Sequence, residues 1–195
     1  MDTFKLYFSL GREHILDYAN GYDHMLFVIC LCALYQFRNW KKILVLITAF
    51  TIGHSITLVL ATLKIISISS DLVEFLIPLT IFITAVTNLF RKEDSIGRNW
   101  IQSNYAYALF FGLIHVLGFS NNLRTILGQS KSITLPLFAF NVGLETGQII
   151  IVILFMSASF IFVDLFGVSR RDWKMVISSA IAGISLILMK EAKYW

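Results

Sequence analysis

The sequence predicts an all-α polytopic membrane protein, a bundle of about six transmembrane helices with an N-terminal interfacial segment. Two observations and one physical rule predict it. Of 195 residues, 57% are hydrophobic and only 14% charged, where a soluble domain carries roughly 25% charge. The apolar residues fall into six runs separated by short polar connections. Such runs are expected to be helical because hydrocarbon cannot satisfy open backbone groups. No Pro/Gly/Ser tract, charge block or low-complexity stretch divides the chain, so residues 1–195 read as one integral membrane domain.

The first 20 residues mix Phe4, Leu6, Tyr7, Phe8 and Leu10 with Lys5, Arg12 and Glu13. They are too polar to span and read as an interfacial helix or collar. They also lack the basic start, apolar run and small-residue cleavage site of a signal peptide, so the first membrane helix is expected to direct insertion. Spans are expected near residues 22–37, 43–63, 70–90, 104–121, 135–164 and 175–189. A crossing needs roughly 20 residues. The first run is short unless it begins near Ile15, and the fifth is long enough to tilt or protrude.

Six spans put both termini on one side. The first, third and fifth connections carry Arg38, Lys41, Lys42, Arg91, Lys92, Arg98, Arg170, Arg171 and Lys174, nine basic residues against seven on the other side. The nine are packed into shorter segments, which predicts termini outside the cytoplasm of a bacterial inner membrane. The net charge of +4 is spread over these connections and forms no basic stripe, so lipid rather than nucleic acid is the expected partner. Cys30 and Cys32 are two apart and point to different helix faces. They are expected to pack as small apolar side chains, not to pair.

The stretch from His14 to His24 carries the chemistry, with Asp23 and His24 side by side at the mouth of the first span. At about 1.5 Å per residue, His54 lies roughly 13 Å from the end of its span and His115 roughly 6 Å from the same side. Glu74 opens the third span on that side, and Asn141 and Glu145 lie roughly 9 and 15 Å into the fifth. On the six-span count these groups share one half of the membrane. The other half offers Thr48, Thr51, Thr84, Thr87, Asn88, Ser157 and Ser159.

An acid near a span centre costs roughly 2.5–3.5 kcal/mol on insertion scales. Gathering the acids and imidazoles around a divalent cation offsets that cost and keeps the carboxylates ionised. Imidazole with carboxylate suits Ni, Zn, Co or Fe(II), and the lack of a convincing thiolate argues against Cu(I). The candidate ligands are Asp23, His24, His54, His115 and Glu145. Asp23 and His24 point about 100° apart, so one of them alone can be a direct ligand. His14, Ser55, Glu74, Asn141 and Gln148 are candidate supports, with Asn141, Glu145 and Gln148 on one helix face. His14 and Glu74 lie near span boundaries and read equally as interfacial groups, and a salt-bridged cluster without metal is the structural alternative. Gly53, Gly112, Gly118 and Gly143 are expected to let helices pack closely, and the Phe stripes to face lipid or fill the core.

These pieces resemble the HupE/UreJ family of small membrane proteins. The resemblance rests on Gly21–Phe27 (GYDHMLF), Thr48–Leu58 (TAFTIGHSITL), Glu74, Phe111–Phe119 (FGLIHVLGF) and Phe140–Gln148 (FNVGLETGQ), in that order. The sequence differs in carrying Val116 after the fourth-span histidine, where glycine is expected. The resemblance implies a nickel or cobalt permease linked to maturation of hydrogenase or urease.

Three functions are consistent with the residues. The first is a divalent-metal transporter, with His54, His115, Asp23 and Glu145 holding the ion and Glu74 and His24 near the entrance. The second is an intramembrane metal-dependent hydrolase, in which the cation activates a water, Glu145 or Glu74 is the general base and Ser55 a hydrogen-bond donor. The third is a non-catalytic metal-binding accessory protein that serves metalloenzyme maturation partners or assembles as a homo-oligomer.

Overall fold

The computed structural model describes residues 2–17, 22–63, 65–66, 68–91, 105–115, 117 and 133–192. Seven helices order the described chain: α1 (Thr3–Leu16), α2 (Tyr22–Cys32), α3 (Trp40–Thr62), α4 (Ser70–Phe90), α5 (Tyr105–His115), α6 (Thr134–Ser159) and α7 (Arg170–Glu191). A 3-10 turn at Phe37–Asn39 leads into α3, and a π-helical turn at Phe160–Leu165 extends α6. Gly118, expected to let helices pack closely, lies outside the described residues, as do Lys92 and Arg98 of the third connection.

Of the six expected spans, four are matched among the described residues by helices long and apolar enough to cross a membrane: Phe37–Thr62, Ser70–Phe90, Thr134–Leu165 and Arg170–Glu191. The first run forms the short helix Tyr22–Cys32, and of the fourth the described residues are helical over Tyr105–His115 and at Leu117. The 11 residues of α2 reach only about 16 Å, roughly half the hydrocarbon thickness. The first run is apolar as far as Phe37, but its helix gives way to turns after Cys32, so hydropathy overstates its length.

The segment read as an interfacial collar forms α1, which packs lengthwise along the first half of α6. Its buried stripe is Tyr7, Gly11 and Ile15, four residues apart and therefore on one face. A Cβ on Gly11 would collide with the Phe140 carbonyl, and one on Gly143 with the Phe8 carbonyl. Gly147 meets Ile15, so α1 and α6 run in the same direction. Beyond that point α2 lies beside Gln148 of α6. End to end, the 14 residues of α1 and the 11 of α2 amount to about 37 Å of helix, enough for one crossing.

A second glycine seam joins α3 to α5. A Cβ on Gly53 would strike the Leu109 carbonyl and one on Gly112 the Phe50 carbonyl. This is close approach through small residues, as in other membrane helix pairs. Backbone cannot yield as a side chain does, so Gly112→Val is expected to lower the unfolding temperature of detergent-purified protein by several degrees, in keeping with an overpacking cost of about 1–3 kcal/mol. An unchanged transition would contradict the seam.

Polar side chains tie the bundle elsewhere. Asn88 Nδ2 on α4 donates to the Cys30 carbonyl of α2 at 2.8 Å, while both cysteines stay free and buried. Thr51 Oγ1 on α3 donates to Gln148 Oε1 on α6 at 3.0 Å. The α7 helix is capped by Ser169, whose Oγ accepts from Asp172 N, and it packs against α4. From there Lys174 Nζ reaches the Arg91 carbonyl at 2.5 Å.

Candidate functional site

Four helices each contribute one imidazole to a cluster of neighbouring rings. His14 stands near the end of α1, His24 near the start of α2, His54 within α3 and His115 on α5. The ring centroids of His14 and His24 are 4.7 Å apart, and those of His24 and His115 are 5.3 Å apart. His54 lies 6.2 Å from both His14 and His24. α1 thus ends and α2 begins where the longer α3 passes. Phe27, Phe50 and Phe140 form the walls: Phe27 and Phe50 lie 5.1 and 5.4 Å from His115, and Phe140 stacks on His54 at 6.4 Å.

Burial is nearly complete, with His24 3%, His54 0% and His115 1% exposed. Buried polar atoms normally find partners. Here His24 Nε2, His115 Nε2 and both ring nitrogens of His54 have no hydrogen-bond partner among the described residues. The other nitrogen of two rings is engaged. His115 Nδ1 lies 2.9 Å from the Phe111 carbonyl, which can only accept, so Nδ1 carries the proton and Nε2 the lone pair. His24 Nδ1 lies 2.9 Å from Asp23 Oδ1, which also accepts the His24 backbone N–H at 2.8 Å. The carboxylate therefore assigns His24 the same tautomer. An imidazole whose far nitrogen is held by a carboxylate or carbonyl is the arrangement that metal-bound histidines adopt.

The spacing of the rings suits a metal ion. Two imidazoles on one ion at about 2.0–2.1 Å hold their centroids about 4.5–6.4 Å apart, depending on the angle between them. The neighbouring centroids fall within that range. Among the described residues, however, no three His, Cys, Asp or Glu side chains converge on a single point as they stand. The centroid spacing is compatible with an ion, but the side chains as placed form no metal site among the described residues.

The other expected residues take different places. Glu145 accepts from Thr48 Oγ1 at 2.7 Å, a contact between α6 and α3. Ser55 donates to the Thr51 carbonyl at 2.7 Å, within its own helix. Asn141 Oδ1 is buried without a partner among the described residues, and so is Gln148 Nε2. Glu74 lines an open cavity of 260 Å³ together with Tyr22, Asp23, Pro78 and Glu191. Pro78 lies within α4 and supplies no N–H, so the Glu74 carbonyl loses its helix donor at that wall. Asp23 links the two features, bounding the cavity and holding His24.

Sequence reasoning missed Glu191, because a Lys–Glu pair closing the last apolar run reads as a span end. It also read Phe27, Phe50 and Phe140 as general core or lipid-facing bulk, since nothing local marks a ring as the wall of a histidine cluster.

No curated protein and no solved structure matches the chain. The family model described as HupE / UreJ protein does, over residues 1–194. With that match running essentially from end to end, the chain belongs to the HupE/UreJ family.

Proposed function

We propose that this integral membrane protein carries a divalent transition-metal ion, of the nickel or cobalt class, across the bilayer, and that the imidazole cluster is its binding point on the way. One observation carries the reading: two histidines on different helices have their far nitrogens engaged, which leaves buried Nε2 lone pairs with no partner among the described residues. Neutral imidazole suits nickel, cobalt, zinc and iron(II), so the donor set selects a class and not one element. The arrangement of α1 and α2 supports transport. Two half-length helices meeting near mid-depth, with the ligands at their meeting point, is a recurrent construction of transporter binding sites.

The cavity bounded by Glu74, Asp23 and Glu191 is the entrance in this scheme. Its carboxylates raise the local cation concentration, an effect that salt screens. The double variant Glu74→Gln/Glu191→Gln is therefore expected to raise the apparent KM for uptake several-fold at low ionic strength, and to lose most of that difference near 0.5 M salt. A KM unchanged at low salt would remove the entrance role. Termini outside the cytoplasm complete the topology; a reporter fused after Trp195 that is active in the cytoplasm would reverse it. Metalloenzyme maturation proteins are then the consumers of the delivered ion.

Reconstituted protein should take up Ni²⁺ or Co²⁺ into liposomes, and His24→Ala and His115→Ala should each abolish uptake. Uptake undiminished in both variants would overturn the proposal.

A further inference from the structure

We propose that the rings of Phe27 and Phe111 form a plug that separates the histidine cluster from a second cavity, and that this plug is the inner gate of the route. The inference rests on the transport reading above.

Two cavities lie at opposite ends of the contact between α2 and α4. The first is the acidic entrance, bounded by the starts of both helices at Tyr22, Asp23, Glu74 and Pro78. The second has a volume of 140 Å³ and is bounded by their other ends at Leu31, Tyr35, Thr84 and Asn88, with Tyr107 and Phe111 of α5. On α4 only the residues between Pro78 and Ile83 separate the two linings, about 7 Å of helix. On α2 the interval from Asp23 to Leu31 is about 12 Å.

That interval is filled by the cluster and then by aromatic rings. Phe27 lies 5.1 Å from the His115 ring and 5.2 Å from Phe50. It meets Phe111 edge to face at 5.3 Å. Phe111 in turn is a wall of the second cavity. The order from one end to the other is therefore carboxylates, imidazoles, phenyl rings, then hydroxyl and amide groups. Phe27 is 0% and Phe111 7% exposed, so the layer is closed and dry. An apolar constriction holds back a hydrated ion until it opens.

The second cavity suits release, not storage. Its lining carries the oxygens of Thr84, Thr87, Asn88, Tyr35 and Tyr107 and no carboxylate, and the two threonines already donate to helix carbonyls of Thr80 and Ile83. Asn88 donates to α2. Arg91 also bounds this cavity, and its like charge shortens the stay of a cation. A route conducts when binding is strong in the middle and weak at the exit.

Ring movement is available without breaking helices. Phe111 contributes its carbonyl to His115 and its ring to the plug. Any turning of the His115 ring on capturing an ion is thus transmitted through Phe27, which touches both.

The test uses full-length protein carrying Cys30→Ala, Cys32→Ala and Thr84→Cys, with and without Phe111→Ala. A membrane-impermeant thiol reagent applied from the Glu74 side should leave the introduced thiol protected when Phe111 is present and label it at least tenfold faster when it is absent. In the native-cysteine background, Phe111→Ala should raise downhill Ni²⁺ flux at least fivefold. Phe111→Leu, which keeps most of the buried volume, should give a smaller change in the same direction and serves if the alanine variant does not fold. Equal labelling and equal flux in the folded variants would overturn the plug, even with metal transport intact. Labelling that opens in protein that moves no metal would keep the plug and overturn transport.

Discussion

His54→Leu is expected to abolish high-affinity metal binding, lowering affinity at least about 100-fold, or about 2.7 kcal/mol, and at the same time to leave the metal-free protein as stable as before or more so. The two effects have one origin. His54 is 0% exposed, and neither of its ring nitrogens has a hydrogen-bond partner among the described residues. A buried polar group left unsatisfied costs about 1–3 kcal/mol. Leucine of similar bulk relieves that cost and fills the space beside Phe50 and Phe140. Nothing about helix formation demands histidine here, since α3 runs unbroken from Trp40 to Thr62. The residue is thus a poor choice for folding and a good one for holding an ion, the usual sign of stability given up to function. Thermal unfolding of apo protein and Ni²⁺ titration of the same samples would separate the two. A leucine variant that is several degrees less stable and binds metal normally would show that His54 is a structural residue and would remove the centre of the site.

Much of this was legible from residue types and their depth. Histidines at 54 and 115 inside apolar runs are expensive unless shared, and Asp23–His24 opens an apolar run; the structure brings His24, His54 and His115 to one place. His14 was harder to place. It belongs to a helix whose Lys5, Arg12 and Glu13 make it look like a surface segment, and the Tyr7, Gly11, Ile15 stripe that seats it is short and relies on backbone contact at its glycine. Hydropathy weighs side chains and so extends α2 to Phe37, whereas the regular helix stops at Cys32 and the bonds from Ala33 N to the Ile29 carbonyl and from Tyr35 N to the Cys32 carbonyl close turns beyond it. Glu145 is marked as a candidate ligand by its depth and its helix face, and the partner that the structure gives its carboxylate, Thr48 of α3, is one that its own helix does not reveal. Pairings across helices depend on rotation and crossing angle, which no single span records.

Asp23→Asn is expected to weaken metal binding about 10–100-fold, the range found for residues that orient metal-bound histidines. Asp23 has two attachments to His24, through the ring Nδ1 at 2.9 Å and the backbone N–H at 2.8 Å. The carboxylate can only accept, so it keeps the proton on Nδ1 and the lone pair on Nε2. An asparagine amide can present its NH₂ to the same nitrogen, and then the lone pair moves to Nδ1, away from the cluster. Asp23→Glu keeps the charge but lengthens the arm, and is expected to lose less than asparagine if it can still reach Nδ1. Asp23 also bounds the entrance cavity, so its loss lowers the cation concentration there as well. The two roles part on salt: an entrance effect fades as ionic strength rises, whereas a tautomer held by a buried contact does not. A loss of affinity in Asp23→Asn that persists at about 0.5 M salt assigns the carboxylate to His24. A loss that vanishes there, with Glu74→Gln/Glu191→Gln behaving alike, assigns it to the entrance and leaves the orientation of His24 to the packing of its ring against His14, Phe50 and His115.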